Sequence, residues 1–112
     1  MMSGDDDEVD RESYYQAAAD VWERGCRGDT LEETDYKRFV GLARDRFYTF
    51  LMSVRHSELQ GDAEKIQSLI RSLALDLTRS PGLEREWLAS EFSDDEFGEL
   101  VSGILEEIRP RR

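Results

Sequence analysis

The stretch "YKRFVGLARDRFYTFLMSV", residues 36–54, decides the fold. Its side chains Tyr36, Val40, Ala43, Phe47, Phe50 and Val54 recur at alternating steps of four and three, and Phe39 and Leu51 widen the stripe. Such steps keep apolar groups on one face of an α-helix, whereas a half-buried strand would alternate every second residue. The same spacing returns in Ile66, Ile70, Leu73 and Leu77, with Leu69 beside them. It returns again in Phe97, Val101, Ile104 and Ile108, flanked by Leu100 and Leu105. Three segments with this seam predict helices that pack side by side. No segment shows a strand alternation.

Helix punctuation sets the boundaries. Thr30 with Glu33, and Ser93 with Glu96, have the capping-box spacing, in which a hydroxyl and a carboxylate satisfy free amides at a helix start. Asp62 after Gly61 is placed to cap a third helix. Ser80-Pro81 puts a cap before a proline at the first helical position, where its missing N–H costs nothing. "SDDE" (93–96) and "RPRR" (109–112) complement the dipole of the last helix. Helices are expected near 10–25, 31–59, 63–79, 82–91 and 94–109. The expected architecture is an all-α compact bundle of four main helices plus one short one, in a single domain over 9–109. An acidic disordered tail is expected over 1–8 and a basic tail over 110–112.

Bulk composition agrees with a folded helical domain. The 112 residues are 37% charged and 38% hydrophobic, and the aromatics are too many for a typical disordered chain. Two prolines and eight glycines favour long elements over turn-rich architectures. Cys26 is the single cysteine, so no internal disulfide can form, and a reducing compartment is expected. The first ten residues lack the basic and apolar regions of a signal peptide. "FYTFLMSV", residues 47–54, is far short of the roughly 20 residues that span a bilayer. A cytoplasmic protein without membrane association is expected.

The order of Phe47, Phe50 and Leu51, a glycine-bounded bend, an apolar helix and then "SPGLEREWLASEFSDDEFGELVSGIL" (80–105) resembles a family of small all-helical domains of unknown function. That family closes its helical hairpin array with an "sP…W…F…F..LV..L" ending. Pro81, Trp87, Phe92, Phe97, Leu100 and Val101 are the matching positions, and the likeness covers residues 20–108. Members often follow N-terminal membrane helices, and this sequence shows none. The resemblance implies the helical fold and supplies no activity.

Net charge is −11, distributed unevenly. Residues 1–35 hold 12 acids against 3 bases, residues 36–82 hold 5 against 8, and residues 83–112 hold 9 against 4. A salt-adapted surface would be acidic throughout, whereas here two acidic ends flank a mildly basic middle. In that middle, Lys37, Arg44, Tyr48 and Arg55 share one side of a helical wheel, roughly 100° from the apolar seam. The stripe reads first as bases paired with acids of neighbouring helices, then as a docking site for an acidic protein surface. Direct nucleic-acid binding is opposed by the net charge.

Catalytic and metal chemistry find little to work with. His56 is the only histidine, lies off the seam late in a helix, and reads as a surface side chain. Cys26 between Arg24 and Arg27 reads as a small packing residue. The alternative is a thiol activated by the two cations and opposed by helix-end carbonyls. A structural zinc site needs about four Cys/His ligands, and the chain has two such residues. "DDDEVDRE" (5–12) lacks the glycine and closing glutamate of a calcium loop, and no phosphate-binding glycine motif occurs. No catalytic residue, metal or cofactor is expected.

The function expected is therefore non-enzymatic protein–protein interaction, as a small adaptor, regulator or accessory subunit. Candidate partner-binding residues are Trp22 and Trp87 on apolar faces that otherwise read as core, and the stripe Lys37, Arg44, Tyr48 and Arg55. Apolar residues beyond the seam, Leu42, Tyr48 and Met52, also allow a homodimer. The alternative function is an acidic nucleic-acid mimic of the kind that phage-encoded anti-defence proteins provide. Its charges would be Asp5, Asp6, Asp7, Glu8 and Asp10 in the tail, with Asp94, Asp95, Glu96 and Glu99 on the last helix.

Overall fold

The computed structural model describes residues 16–109, and every element among them is helical. Helix α1 occupies 16–27, followed by α2 (Glu33–Leu59), α3 (Ala63–Arg79), α4 (Pro81–Ala89), a 3-10 turn (Glu91–Asp94) and α5 (Glu96–Ile108). The tails expected at 1–8 and 110–112, and the start of the first helix near residue 10, lie outside the described residues. None of the described helices is long and apolar enough to cross a membrane.

Two glycines make the first turns. Gly28 sits at φ +86°, with its N–H on the Gly25 carbonyl and the Asp29 N–H on the Arg24 carbonyl. Gly61 repeats the arrangement at φ +70°, with Gly61 N–H on Glu58 and Asp62 N–H on Ser57. Both are paired-bond helix terminations in which only glycine enters the left-handed region freely. Asp62 then accepts from the Lys65 N–H, so the next helix begins at once.

Three expected caps differ. Helix α2 starts at Glu33 with Glu32 as its cap position and no side-chain capping bond, so the Thr30 box does not form. The turn at Gly28 carries the chain through Asp29, whose carboxylate is held by Arg27, and the first α2 backbone bond is accepted only at Glu32. At α5 the cap is Asp95, which accepts from the Gly98 N–H, while the Ser93 hydroxyl donates to the Ser90 carbonyl inside the 3-10 turn. That turn folds so closely on the first turn of α5 that a Cβ at Gly98 would overlap the Ser93 carbonyl. Ser80 precedes α4 as expected but makes no side-chain capping bond.

Helix α3 is central, packed on α2, α4 and α5. The core joins Phe39, Ala43, Phe47, Leu51 and Val54 of α2 to Ile70, Leu73, Ala74 and Leu77 of α3. Leu83 and Trp87 of α4, Phe97, Val101 and Leu105 of α5, and Val21 of α1 complete it. Phe47 is its hub, meeting Trp87 edge to face at 5.0 Å and Phe92 at 6.0 Å, and Trp87 meets Phe97 at 5.6 Å. The buried face of α2 is rotated from the expected seam. Phe39 and Leu51 are interior, Val40 and Phe50 are half-buried, and Tyr36 is 39% exposed. The rotation lets the Tyr36 hydroxyl donate to Glu86 of α4 at 2.8 Å, so a polar staple replaces an apolar contact.

Candidate docking surface

Helix α2 is flanked by α1 on one side and by α3 and α4 on another, which leaves an outward face uncovered. Along it run three shallow hollows that share side chains. The first, about 310 Å3, lies between α1 and α2 and is lined by Ala18, Ala19, Trp22, Leu42 and Arg46. The second, about 410 Å3, is lined by Arg46, Thr49, Phe50, Ser53, Asp45 and Leu69. The third, about 350 Å3, holds Tyr48, Thr49, Met52, Ser53, His56 and Lys65. Arg46 links the first to the second, and Thr49 and Ser53 link the second to the third.

Arg46 organises this track. Its guanidinium lies 5.8 Å from the Trp22 ring centre and 5.6 Å from that of Phe50, and it pairs with Asp76 of α3 at 2.7 Å. One cation thus holds two half-buried rings in place while its charge is answered. Sequence reading missed Arg46. Its signal was a cation four residues before Phe50, on the same helical face. Trp22, whose apolar helical face reads as core, is half-buried at the core's edge, with Phe39 at 5.5 Å. Trp87, the other candidate tryptophan, is 1% exposed, so it presents nothing to a partner and belongs to the core alone.

The basic stripe is exposed, as its wheel position required. Lys37 pairs with Glu33 one turn earlier in the same helix at 3.2 Å. Arg44 and Arg55 form no ion pair among the described residues, and Tyr48 between them is 54% exposed. Pairing with acids of neighbouring helices therefore does not account for these two arginines. Arg55 also borders a separate groove of about 220 Å3, where Asp95, Glu96 and Glu58 stand over Leu51 and Val54. The candidate acids thus share a groove with a candidate base.

The acids at the start of α5 have local work. Asp95 caps the helix, and Glu96 and Glu99 sit in its first turn, where the exposed amides favour negative charge. Asp94 ends the 3-10 turn and is exposed. Asp5, Asp6, Asp7, Glu8 and Asp10 lie outside the described residues.

The remaining candidate groups are closed off. Burial pushes the Cys26 thiol above its ordinary pKa, an effect only partly offset by Ser80 and by Arg46. Arg24 turns to Asp20 and Asp35, and Arg27 to Glu23 and Asp29, so neither flanking cation activates the sulfur. The Tyr36 hydroxyl is held above its ordinary pKa first by the hydrogen bond to Glu86 and then by desolvation. Among the described residues no group of three His, Cys, Asp or Glu side chains could hold a metal ion. Compared with known proteins, the chain matches no family, no curated protein and no solved structure.

Proposed function

We propose that this chain is a non-enzymatic protein–protein interaction module that docks a partner on the outward face of α2. The observation that carries the reading is the continuous track of half-buried and exposed apolar groups, Trp22, Leu42, Phe50, Met52 and Tyr48. A contiguous uncovered apolar face with polar edges is the usual mark of an interface in a small protein. Apolar contact along the track would supply affinity, while the surrounding charges would set encounter rate and partner choice.

The test is affinity capture with the intact chain and with a Tyr48→Asp/Met52→Asp variant, in cells that express it, at low and high salt and with duplex DNA as competitor. The reading expects a partner that persists in salt and DNA and is lost with the variant while far-UV circular dichroism is unchanged. A partner that the variant retains overturns it. The nucleic-acid mimic is the rival reading, favoured by the exposure of Asp94, Glu96 and Glu99 along one helix start. It expects a nucleic-acid enzyme released by salt and by DNA, and insensitive to the Tyr48/Met52 change.

A further inference from the structure

The third hollow differs from the other two in its edges. Its lining joins the flexible thioether of Met52 and the exposed ring of Tyr48 to Thr49 and Ser53. Methionine and tyrosine together suit a partner whose side chains must be accommodated without a deep pocket. Lys65 of α3 lines the hollow together with His56. Arg44 and Arg55 are exposed outside it, and their helical positions put them on the Tyr48 side of α2. Arg44, Arg55 and Lys65 form no ion pair among the described residues. Residues 36–57 contain five Lys or Arg and a single acid, Asp45, in a chain of net charge −11. This exposed stretch of α2 is therefore both basic and apolar.

Resting on the docking reading above, we infer that the occupant of this hollow is an acidic amphipathic helix of a partner protein. Arg44 and Arg55 are eleven residues apart, so about 16 Å of α2 separates them, the length of roughly three turns in a partner helix. A helix laid along α2 would press its apolar stripe on Tyr48 and Met52. Its carboxylates, one to each side, would meet Arg44 and Arg55 on one flank and Lys65 on the other. Nucleic acid fits less well. Its phosphates have no use for an apolar floor, and its charge density would meet the repulsion of the whole chain.

The experiment measures fluorescence anisotropy of a capped synthetic peptide of about four turns, with leucine along one face and glutamate on both flanks, against the full chain. A twin peptide replaces every glutamate with lysine. At about 0.05 M salt the acidic peptide should bind at least roughly tenfold tighter than its twin, and at about 0.5 M salt the gap should shrink. Arg44→Glu with Arg55→Glu, both exposed, should weaken the acidic peptide roughly tenfold and strengthen the twin. Arg71→Glu with Arg79→Glu, a matched charge change elsewhere at exposed positions, should do neither. Met52→Ser should weaken both peptides.

Equal binding of the two peptides, or indifference to the double reversal, overturns the proposal. So does a DNA duplex that displaces the peptide and binds more tightly, which would make nucleic acid the occupant. A roughly tenfold gain in peptide affinity on neutralising Asp5, Asp6, Asp7, Glu8 and Asp10 in the full chain would instead assign the face to this chain's own acidic stretch. A concentration-dependent doubling of mass abolished by Met52→Ser would assign it to a second copy. If the peptides fail while cellular capture still depends on Tyr48 and Met52, the docking face stands and only its acidic ligand falls. If capture is also indifferent, the face itself falls.

Discussion

Replacing Gly82 with alanine is the sharpest test of how α1 and α4 meet. A Cβ there would overlap the Gly25 carbonyl oxygen and stand 2.9 Å from the Gly25 carbonyl carbon and 3.1 Å from the Gly28 nitrogen. All three are backbone atoms at the end of α1, so no side chain can swing aside; the helix itself must move. Overpacking of this kind costs about 1–3 kcal/mol. The better helix propensity of alanine returns at most about 1 kcal/mol, and Gly82 lies in the first turn of α4, where that gain is small. The net effect is a loss of about 1–2 kcal/mol, which lowers the melting temperature by roughly 4–8 °C per kcal/mol in a domain near 100 residues. Gly103 is the control. Nothing lies within 4 Å of a Cβ there, so Gly103→Ala should stabilise by about 0.5–1 kcal/mol. Thermal melts followed by circular dichroism read both. Amide exchange in Gly82→Ala should quicken across 16–27 before α3 or α5. A Gly82→Ala protein that melts at or above the parent temperature would refute the close approach of α1 and α4.

Leu73 has no exposed surface, and an aspartate there would be a buried charge without a partner. Leu73→Asp should leave no cooperative melt, whereas an unchanged melt would remove α3 from the centre of the core. Tyr36→Phe removes the donor to the buried Glu86 and should cost about 1 kcal/mol in denaturant unfolding. Because the folded state holds the Tyr36 pKa above its ordinary value of 10.0, this group's stabilising contribution is complete below pH 10.0 and fades as pH climbs through the raised value. The Phe variant should lose that part of the alkaline dependence of the melt. The Cys26 thiol, with its raised pKa and half-buried position, should react with a thiol reagent at neutral pH more slowly than free cysteine, and at the ordinary rate once unfolded. Fast modification of the folded chain would contradict the description of that site.

Much of the helical architecture was legible because its signals are local. The four-and-three spacing of α3 and α5 places Ile70, Leu73, Leu77, Phe97 and Val101 in the core as read, whereas Ile66, Ile104 and Ile108 of the same seams are half-buried, and of their flanking residues Leu105 is interior and Leu100 exposed. Gly61-Asp62 ends one helix and starts the next through bonds that reach no further than five residues. The misread starts of α2 and α5 have a common cause. Thr30-Glu33 and Ser93-Glu96 have capping spacing, but the chain already carries another local structure there, the Gly28 termination in one case and the 3-10 turn against Gly98 in the other. A motif of four residues does not register that competition.

The candidate site was legible in part. Exposure of Lys37, Arg44, Tyr48 and Arg55 followed from their angle on α2, and the surplus apolar groups Leu42 and Met52 marked the outward face. Which tryptophan stays near the surface was not readable, since Trp22 and Trp87 both lie on apolar helical faces. Arg46 was missed because its partners, Trp22 and Asp76, come from two other helices.

The amino-acid sequence by itself therefore determined helix type, approximate length and the charged character of each segment, because these depend on periodicity, capping and composition within a few turns. Tertiary structure alone decided how far α2 is rotated and that Trp87 is enclosed by Phe47 and Phe97. It also decided that Gly25 and Gly82 meet and that three shallow hollows join along one face. Each of these is set by the shapes of surfaces that arrive from distant parts of the chain, and close packing admits one arrangement of them where periodicity admits several.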